Sequence, residues 1–318
     1  MNNFLDTILT PFTYAVSWVL WAFHELFTII GMNPDSGVTW TLSIIFLVLL
    51  IRTLLIPVFV KQIKSQRAMQ ALQPDLKKLQ AKYKGKTDQM SRQAMVQEQQ
   101  ALFKKHKTNP LSSCLPLLIQ MPFFFALFRV LNNASHASET NQSVGALSVE
   151  NIRSFDSASI FGAPLSETFL GTFNSGNTNW AVVVVAVIMI LAMIASQFFT
   201  QRQLMTKNMS AEALQGPFMQ QQKMMLYILP LVFGIGGINF PIGVLIYWTA
   251  TNLWTLGQQY WVIHNNPTPG SEAERELNAR RAAKGLPPVG QKKTAEAEQP
   301  VIEQAKGQRE QPQRKNRR

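Results

Sequence analysis

The chain has 318 residues, 47% of them hydrophobic and only 15% charged, with 30 Lys and Arg against 18 Asp and Glu. An average soluble domain carries about 25% charged residues; here long stretches hold none, which argues against a soluble globular fold and for apolar membrane segments joined by polar loops. The net charge of +12 admits nucleic acid, anionic lipid or the ribosome as a contact, so the placement of the charges matters more than their sum.

One cysteine, Cys114, excludes an intramolecular disulfide, and no Cys/His cluster has metal-ligand spacing. The first Lys or Arg is Arg52, so neither a secretory signal peptide nor an Arg-rich transit peptide is expected. No cofactor is expected: the chain has no GxxxxGK[ST] loop and no HExxH, and its histidines are scattered. An enzyme is therefore not expected.

Residues 1–37 begin with an apolar segment over 4–31. Phe4, Ile8, Phe12, Ala15, Val19, Phe23, Leu26 and Ile30 form one stripe, and Asp6, Thr10, Thr13, Ser17, His24 and Thr28 form another. Both fit one amphipathic helix, taken to lie in the membrane interface, with a spanning helix as the alternative. Residues 38–60 form the first span, about 33 Å long as a helix. Residues 61–112 hold twelve Lys and Arg against Asp75, Asp88 and Glu98, and are expected to form a helical hairpin outside the bilayer. Thr87 is the expected cap of its second helix. Leu72, Leu76, Leu79 and Tyr83 are expected to face Met90, Ala94 and Ala101, with Asn109-Pro110 closing the hairpin.

Residues 113–132 form the second span, in which Cys114 reads as a small buried residue. Residues 133–178 form a polar external loop, and 179–200 a third span. After the polar loop 201–223 come a short fourth span over 224–238, a turn at Asn239-Phe240-Pro241, and a fifth span over 242–263. Residues 264–318, with twelve Lys and Arg against seven Glu and no apolar period, are expected to be a disordered basic tail. The fold class is thus all-α and membrane-integral, with five spans, an interfacial helix and a hairpin. The basic segments fix the orientation: N-terminus outside, hairpin and C-terminus in the cytoplasm.

Arg52 is the sharpest candidate site residue, about 13 Å along the helix from Lys61. A bare Arg at such depth costs at least about 2.5 kcal/mol. Either it lines a water-filled cavity, or it snorkels to the cytoplasmic headgroups. Gln120, Gln197, Thr249 and Asn252 are polar residues at comparable depth, each also readable as a helix–helix hydrogen bond. The spans contain no acidic residue to pair with Arg52.

The stretches VKQIKSQRAMQALQPDLKKLQAKYKGK, NPLSSCLPLLIQMPFFFALF and NFPIGVLIYWTATNLWTLGQQ resemble the YidC/Oxa/Alb insertase family over roughly residues 38–265. The wording is most similar to actinobacterial members, without the large external domain of Gram-negative ones. The resemblance implies a bacterial plasma-membrane protein. Its hydrophilic groove would open to cytoplasm and lipid, take up nascent membrane-protein segments and release them into the bilayer, alone or with the Sec translocon. It implies that Arg52 and Gln197 line that groove and that Trp248 touches substrate. The hairpin would recruit substrates, and the basic hairpin and tail offer a ribosome contact; no DNA partner is implied. A polar-solute transporter or channel with Arg52 as an anion site is the alternative, and a ribosome-docking scaffold a third reading. No internal repeat supports the transporter.

Overall fold

The computed structural model describes residues 2–106, 108, 115–174, 176, 178–209 and 217–289. It is almost entirely helical, and the chain divides into two compact units, residues 1–277 and 278–318. Cys114, the Asn109-Pro110 turn and the tail from 290 onward lie outside the described residues.

Helix α1 (Asn2–Ile29) packs against α2 (Gly37–Leu54) and α6 (Leu115–Asn132). The stripe it buries runs Thr13, Val16, Ser17, Leu20, His24, Phe27, so much of the polar face turns inward. Ser17 Oγ accepts from the Ala146 amide, and His24 Nε2 donates to the Pro34 carbonyl while its ring stacks on Trp40. Tyr14, Trp18 and Leu26 are left exposed.

The expected first span, residues 38–60, is not one helix. Helix α2 ends at Leu54 and α3 (Ile56–Ala71) restarts after Leu55. Pro57 has no amide hydrogen to give to the preceding turn, and its ring crowds the carbonyl four residues back, so the helix breaks just below Arg52.

Helices α4 (Gln73–Tyr83) and α5 (Gln89–Lys105) pack as an antiparallel pair in which Lys82 Nζ and Tyr83 Oη reach Glu98 Oε1 at 2.5 and 2.8 Å. Two expectations fail here. Asp88, not Thr87, caps α5, accepting from the Ser91 amide at 2.8 Å. Met69, Leu72 and Leu76 pack on Leu102 and Phe103, while Met90 is exposed. The antiparallel register places the last turns of α5, not its start, opposite those leucines.

Residues 133–178 are more structured than a polar loop: they hold α7 (Ala134–Glu139), α8 (Val149–Ser157), a hairpin of β1 (Ser159–Ile160) and β2 (Ala163–Pro164), and α9 (Gly171–Asn174). Ser148 and Asn151 cap α8 reciprocally, and Leu147, Ile152, Phe155 and Leu165 are fully buried. The segment fits closely on the helix ends beside it. A Cβ on Gly37 would overlap the Ser159 carbonyl, so only glycine fits at the start of α2.

Helix α10 (Trp180–Lys207) outlasts the expected third span by two turns and packs along α11 (Pro217–Gly237) and α12 (Ile242–Asn265). Helix α12 has no side-chain cap; the carbonyls of Glu167 and Leu165 accept from its first amides, Ile242 at 3.0 Å and Gly243 at 2.8 Å. Among the described residues two helices, Gly37–Leu54 and Trp180–Lys207, are by length and composition long and apolar enough to cross a membrane; Leu118–Asn132 and Lys223–Gly237 are shorter apolar helices.

The start of the expected disordered tail is ordered. Helix α12 runs to Asn265 and α13 (Glu272–Ala282) follows. Ser271 Oγ accepts from the Glu274 amide, and Glu274 reaches back to the Gly270 amide. Lys207 Nζ meets Glu272 at 2.7 Å and Glu276 at 2.6 Å, and Asn208 Oδ1 accepts from the Thr268 amide.

Candidate functional site

Arg52 sits on the last turn of α2, and the break after it leaves its side chain beside α3 and α12. The residue is only 7% exposed. Its guanidinium lies 5.4 Å from the centroid of the Phe59 ring on α3, a cation–π contact. The residue lies on a helix that packs directly against α12. Among the described residues no carboxylate pairs with it.

Tyr247 ties the site together. It is buried, and its hydroxyl accepts a hydrogen bond from Gln120 Nε2, joining α6 to α12. Buried polar atoms without a partner occur on the same two helices: Gln120 Oε1 on α6, and Thr249 Oγ1 and Asn252 Nδ2 on α12. Buried polar atoms are nearly always satisfied, by protein or by water. Such orphans, on helices of which α12 also packs on the α2 that carries Arg52, suit water or the polar groups of a guest.

The other sequence candidates divide. Trp248 stands next to Tyr247 on α12, packed edge-on to Phe124 at 5.3 Å and Phe233 at 5.0 Å and tilted against Phe240, and the same Phe124 ring meets Tyr247 at 6.4 Å. It belongs to an aromatic wall. Gln197 is half-buried on α10, with no hydrogen bond to Arg52, Gln120 or Tyr247. Sequence reasoning passed over Tyr247 and Thr251. The signal was present: Tyr247, Thr251 and Asn252 recur at helical spacing on the buried face of one segment. No group of three or more His, Cys, Asp or Glu suited to a metal occurs among the described residues.

Residues 31–269 match the family model described as 60Kd inner membrane protein. The chain belongs to this family. It is similar to a membrane protein insertase YidC of Streptomyces avermitilis, 50% identical over 277 residues that cover 85% of this chain and 62% of that one, so it spans less than two thirds of that relative. A membrane protein insertase YidC of Tropheryma whipplei is 41% identical over 320 residues, 99% of this chain and 97% of the relative. That of Bifidobacterium longum is 36% identical over 325 residues, 98% and 95% of the two chains. A solved structure of an active YidC insertase with its first transmembrane domain resolved has a TM-score of 0.45 and 23% identity, covering 78% of this chain and 46% of that one. In this family setting the cluster at Arg52 becomes the candidate substrate site.

Proposed function

We propose that the chain is a membrane protein insertase, and that the work is done by binding at Arg52 without any bond being made or broken. The observation that carries this is Arg52 itself, a buried cation with no carboxylate partner among the described residues, on a helix packed against α12 with its orphaned polar atoms, in a member of this family. A segment entering hydrocarbon alone must desolvate its peptide and polar groups, at several kcal/mol for the worst of them. A polar, positively charged groove on the cytoplasmic side offsets part of that before the apolar segment moves into lipid. Gln120, Thr249 and Asn252 supply the polar lining with Tyr247 and Thr251, and Gln197 and Trp248 line the path taken by the apolar part.

Five spans serve this reading: α2 with the start of α3, then α6, α10, α11 and α12. Helix α1 lies in the outer interface. Its contacts support that placement, since Phe27 meets Phe46 on α2 and Phe12 meets Phe123 on α6. Both partners are about 13 Å along their helices from the ends nearest residues 133–178, so α1 crosses the two at similar depth. The basic hairpin and tail place those segments in the cytoplasm and the N-terminus outside. Clients are nascent membrane-protein segments, met in lipid, with the Sec translocon and the ribosome as working partners.

The test is depletion in the native bacterium. Single-span membrane proteins should accumulate uninserted, and insertion should return with the chain supplied in trans. Unchanged insertion after full depletion would overturn the reading.

A further inference from the structure

The β1–β2 hairpin closes with a two-residue turn, Phe161-Gly162, between the pairs Ser159↔Pro164 and Ile160↔Ala163. Both turn residues have positive φ, 50° and 80°. This geometry favours Asn or Gly at its first position and strains a bulky side chain. Phe161 occupies it nonetheless, and is 86% exposed. Ile160 is half-buried and Ala163 fully buried, while Ser159 and Gly162 are exposed, so the phenyl ring is the one large apolar side chain that the hairpin projects fully. A strained backbone and a bare aromatic ring are two separate penalties if the tip stands in water. The second disappears if it stands in lipid.

The tip is fixed to the start of α10. Asn179, the N-cap of that helix, donates from Nδ2 to the Gly162 carbonyl at 3.2 Å. Trp180, on the first turn, is 70% exposed. Below it Val184, Val187, Ile188 and Leu191 are exposed at helical spacing, an uncharged apolar stripe running down one face of a helix long enough to span. On the other flank the Asn179 amide donates to Thr172 Oγ1, which brings in the exposed Phe173. The three aromatics therefore lie where the stripe ends.

We propose that Phe161, with Trp180 and Phe173, inserts into the headgroup–hydrocarbon boundary of the leaflet at the start of α10, as an aromatic anchor. The partner is the lipid surface itself. Trp180, with an apolar ring and an indole N–H, is favoured at this depth, and the phenyl rings of Phe161 and Phe173 gain by moving their exposed apolar area from water into lipid. The anchor holds the 133–178 segment at a fixed height over the ends of α2 and α12, which it caps.

The inference rests on α10 being a span, and the experiment separates the two. Single cysteines replace Phe161, Glu150 and Leu191 in turn in a Cys114→Ser background, carry a nitroxide label, and are reconstituted into liposomes. Collision with oxygen, which partitions into lipid, and with a water-soluble nickel chelate gives a depth for each label. Leu191→Cys reports the span whatever the tip does. Only variants that elute as the unlabelled protein does are scored. Position 161 should be more accessible to oxygen than to nickel, and position 150, an exposed glutamate on α8, the reverse. A reading at 161 that favours nickel, or is no deeper than at 150, with Leu191 deep in lipid, overturns the anchor and leaves the span standing. A water-exposed Leu191 overturns the span and the anchor with it.

Discussion

The Tyr247 hydroxyl accepts a hydrogen bond from Gln120 Nε2 across the α6–α12 interface, and Gln120 Oε1 has no partner. One side chain thus has one end satisfied and the other free in the site nearest Arg52. Under the proposed function, this bond would fix the amide with its oxygen left for a guest.

Tyr247→Phe should remove that orientation. It leaves the whole Gln120 amide unpaired in a buried place, a loss of about 1–3 kcal/mol. Thermal unfolding in detergent should show a lowered Tm. Adding Gln120→Leu should recover much of it, since removing both partners is far cheaper than removing one. A double variant no more stable than Tyr247→Phe alone would show that the bond carries no such role.

The fit of residues 133–178 on the helix ends makes a second prediction. A Cβ on Gly37 would run into the Ser159 backbone, whereas on Gly243 it would meet side-chain atoms Phe155 Cζ at 3.1 Å and Leu131 Cδ1 at 3.3 Å. Overpacking costs about 1–3 kcal/mol, and backbone yields less readily than a ring edge. Gly37→Ala should therefore lower Tm more than Gly243→Ala. The opposite order would mean that the segment does not seat on α2 as described.

Much of this was legible in the sequence and some was not, for physical reasons. The apolar lengths placed α6, α10, α11 and α12 close to where they are, because period and length survive any context. The break at Leu55 needed more weight on Pro57. Ser271-Glu272-Ala273-Glu274 is a capping-box sequence, and composition alone hid it inside a basic tail. Arg52, Gln120, Thr249 and Asn252 were readable as polar residues in apolar runs. Tyr247 was not, because an aromatic beside Trp248 looks like packing until its hydroxyl is seen to have a partner.

The clasp of Lys207 on Glu272 and Glu276 gives a pH and salt prediction. The hydrogen bond donated by Lys207 holds the Glu272 carboxyl below its usual range, and those that Lys207 donates to Glu272 and Glu276 hold its ammonium above its own. A depressed carboxylate contributes stability above its unfolded value, about 4.3, and loses it as pH falls through the lower folded value. A raised ammonium contributes below about 10.4 and loses it as pH rises through the higher folded value. Amide hydrogen exchange in α13 should therefore be flat in clasp strength from pH 5.5 to 9 after correction for intrinsic rates, as order-of-magnitude bounds from those ranges. It should quicken in acid and modestly in high salt, since the groups are exposed and screened. Lys207→Met should show the quickened exchange at every pH. Unchanged exchange in that variant would show that Asn208 and Thr268 alone hold the segment.

Arg52 makes the strongest prediction. Under the proposed function, its charge would lower the cost of drawing a polar or acidic flank of a client toward the bilayer, with an attraction modest enough for the client to leave. Arg52→Lys keeps the charge and loses the planar fork over Phe59, so it should retain substantial insertion. Arg52→Ala removes a buried unpaired cation and so does not strand a partner; it should accumulate to normal levels. Its defect should fall hardest on clients with acidic translocated flanks, by about tenfold for each 1.4 kcal/mol of lost attraction. Were Arg52 only a side chain reaching toward the headgroups, both variants would insert every client normally or be lost through instability. Paired clients that differ only in flank charge decide it. A stable Arg52→Ala protein that inserts both at the unmutated rate removes Arg52 from the mechanism.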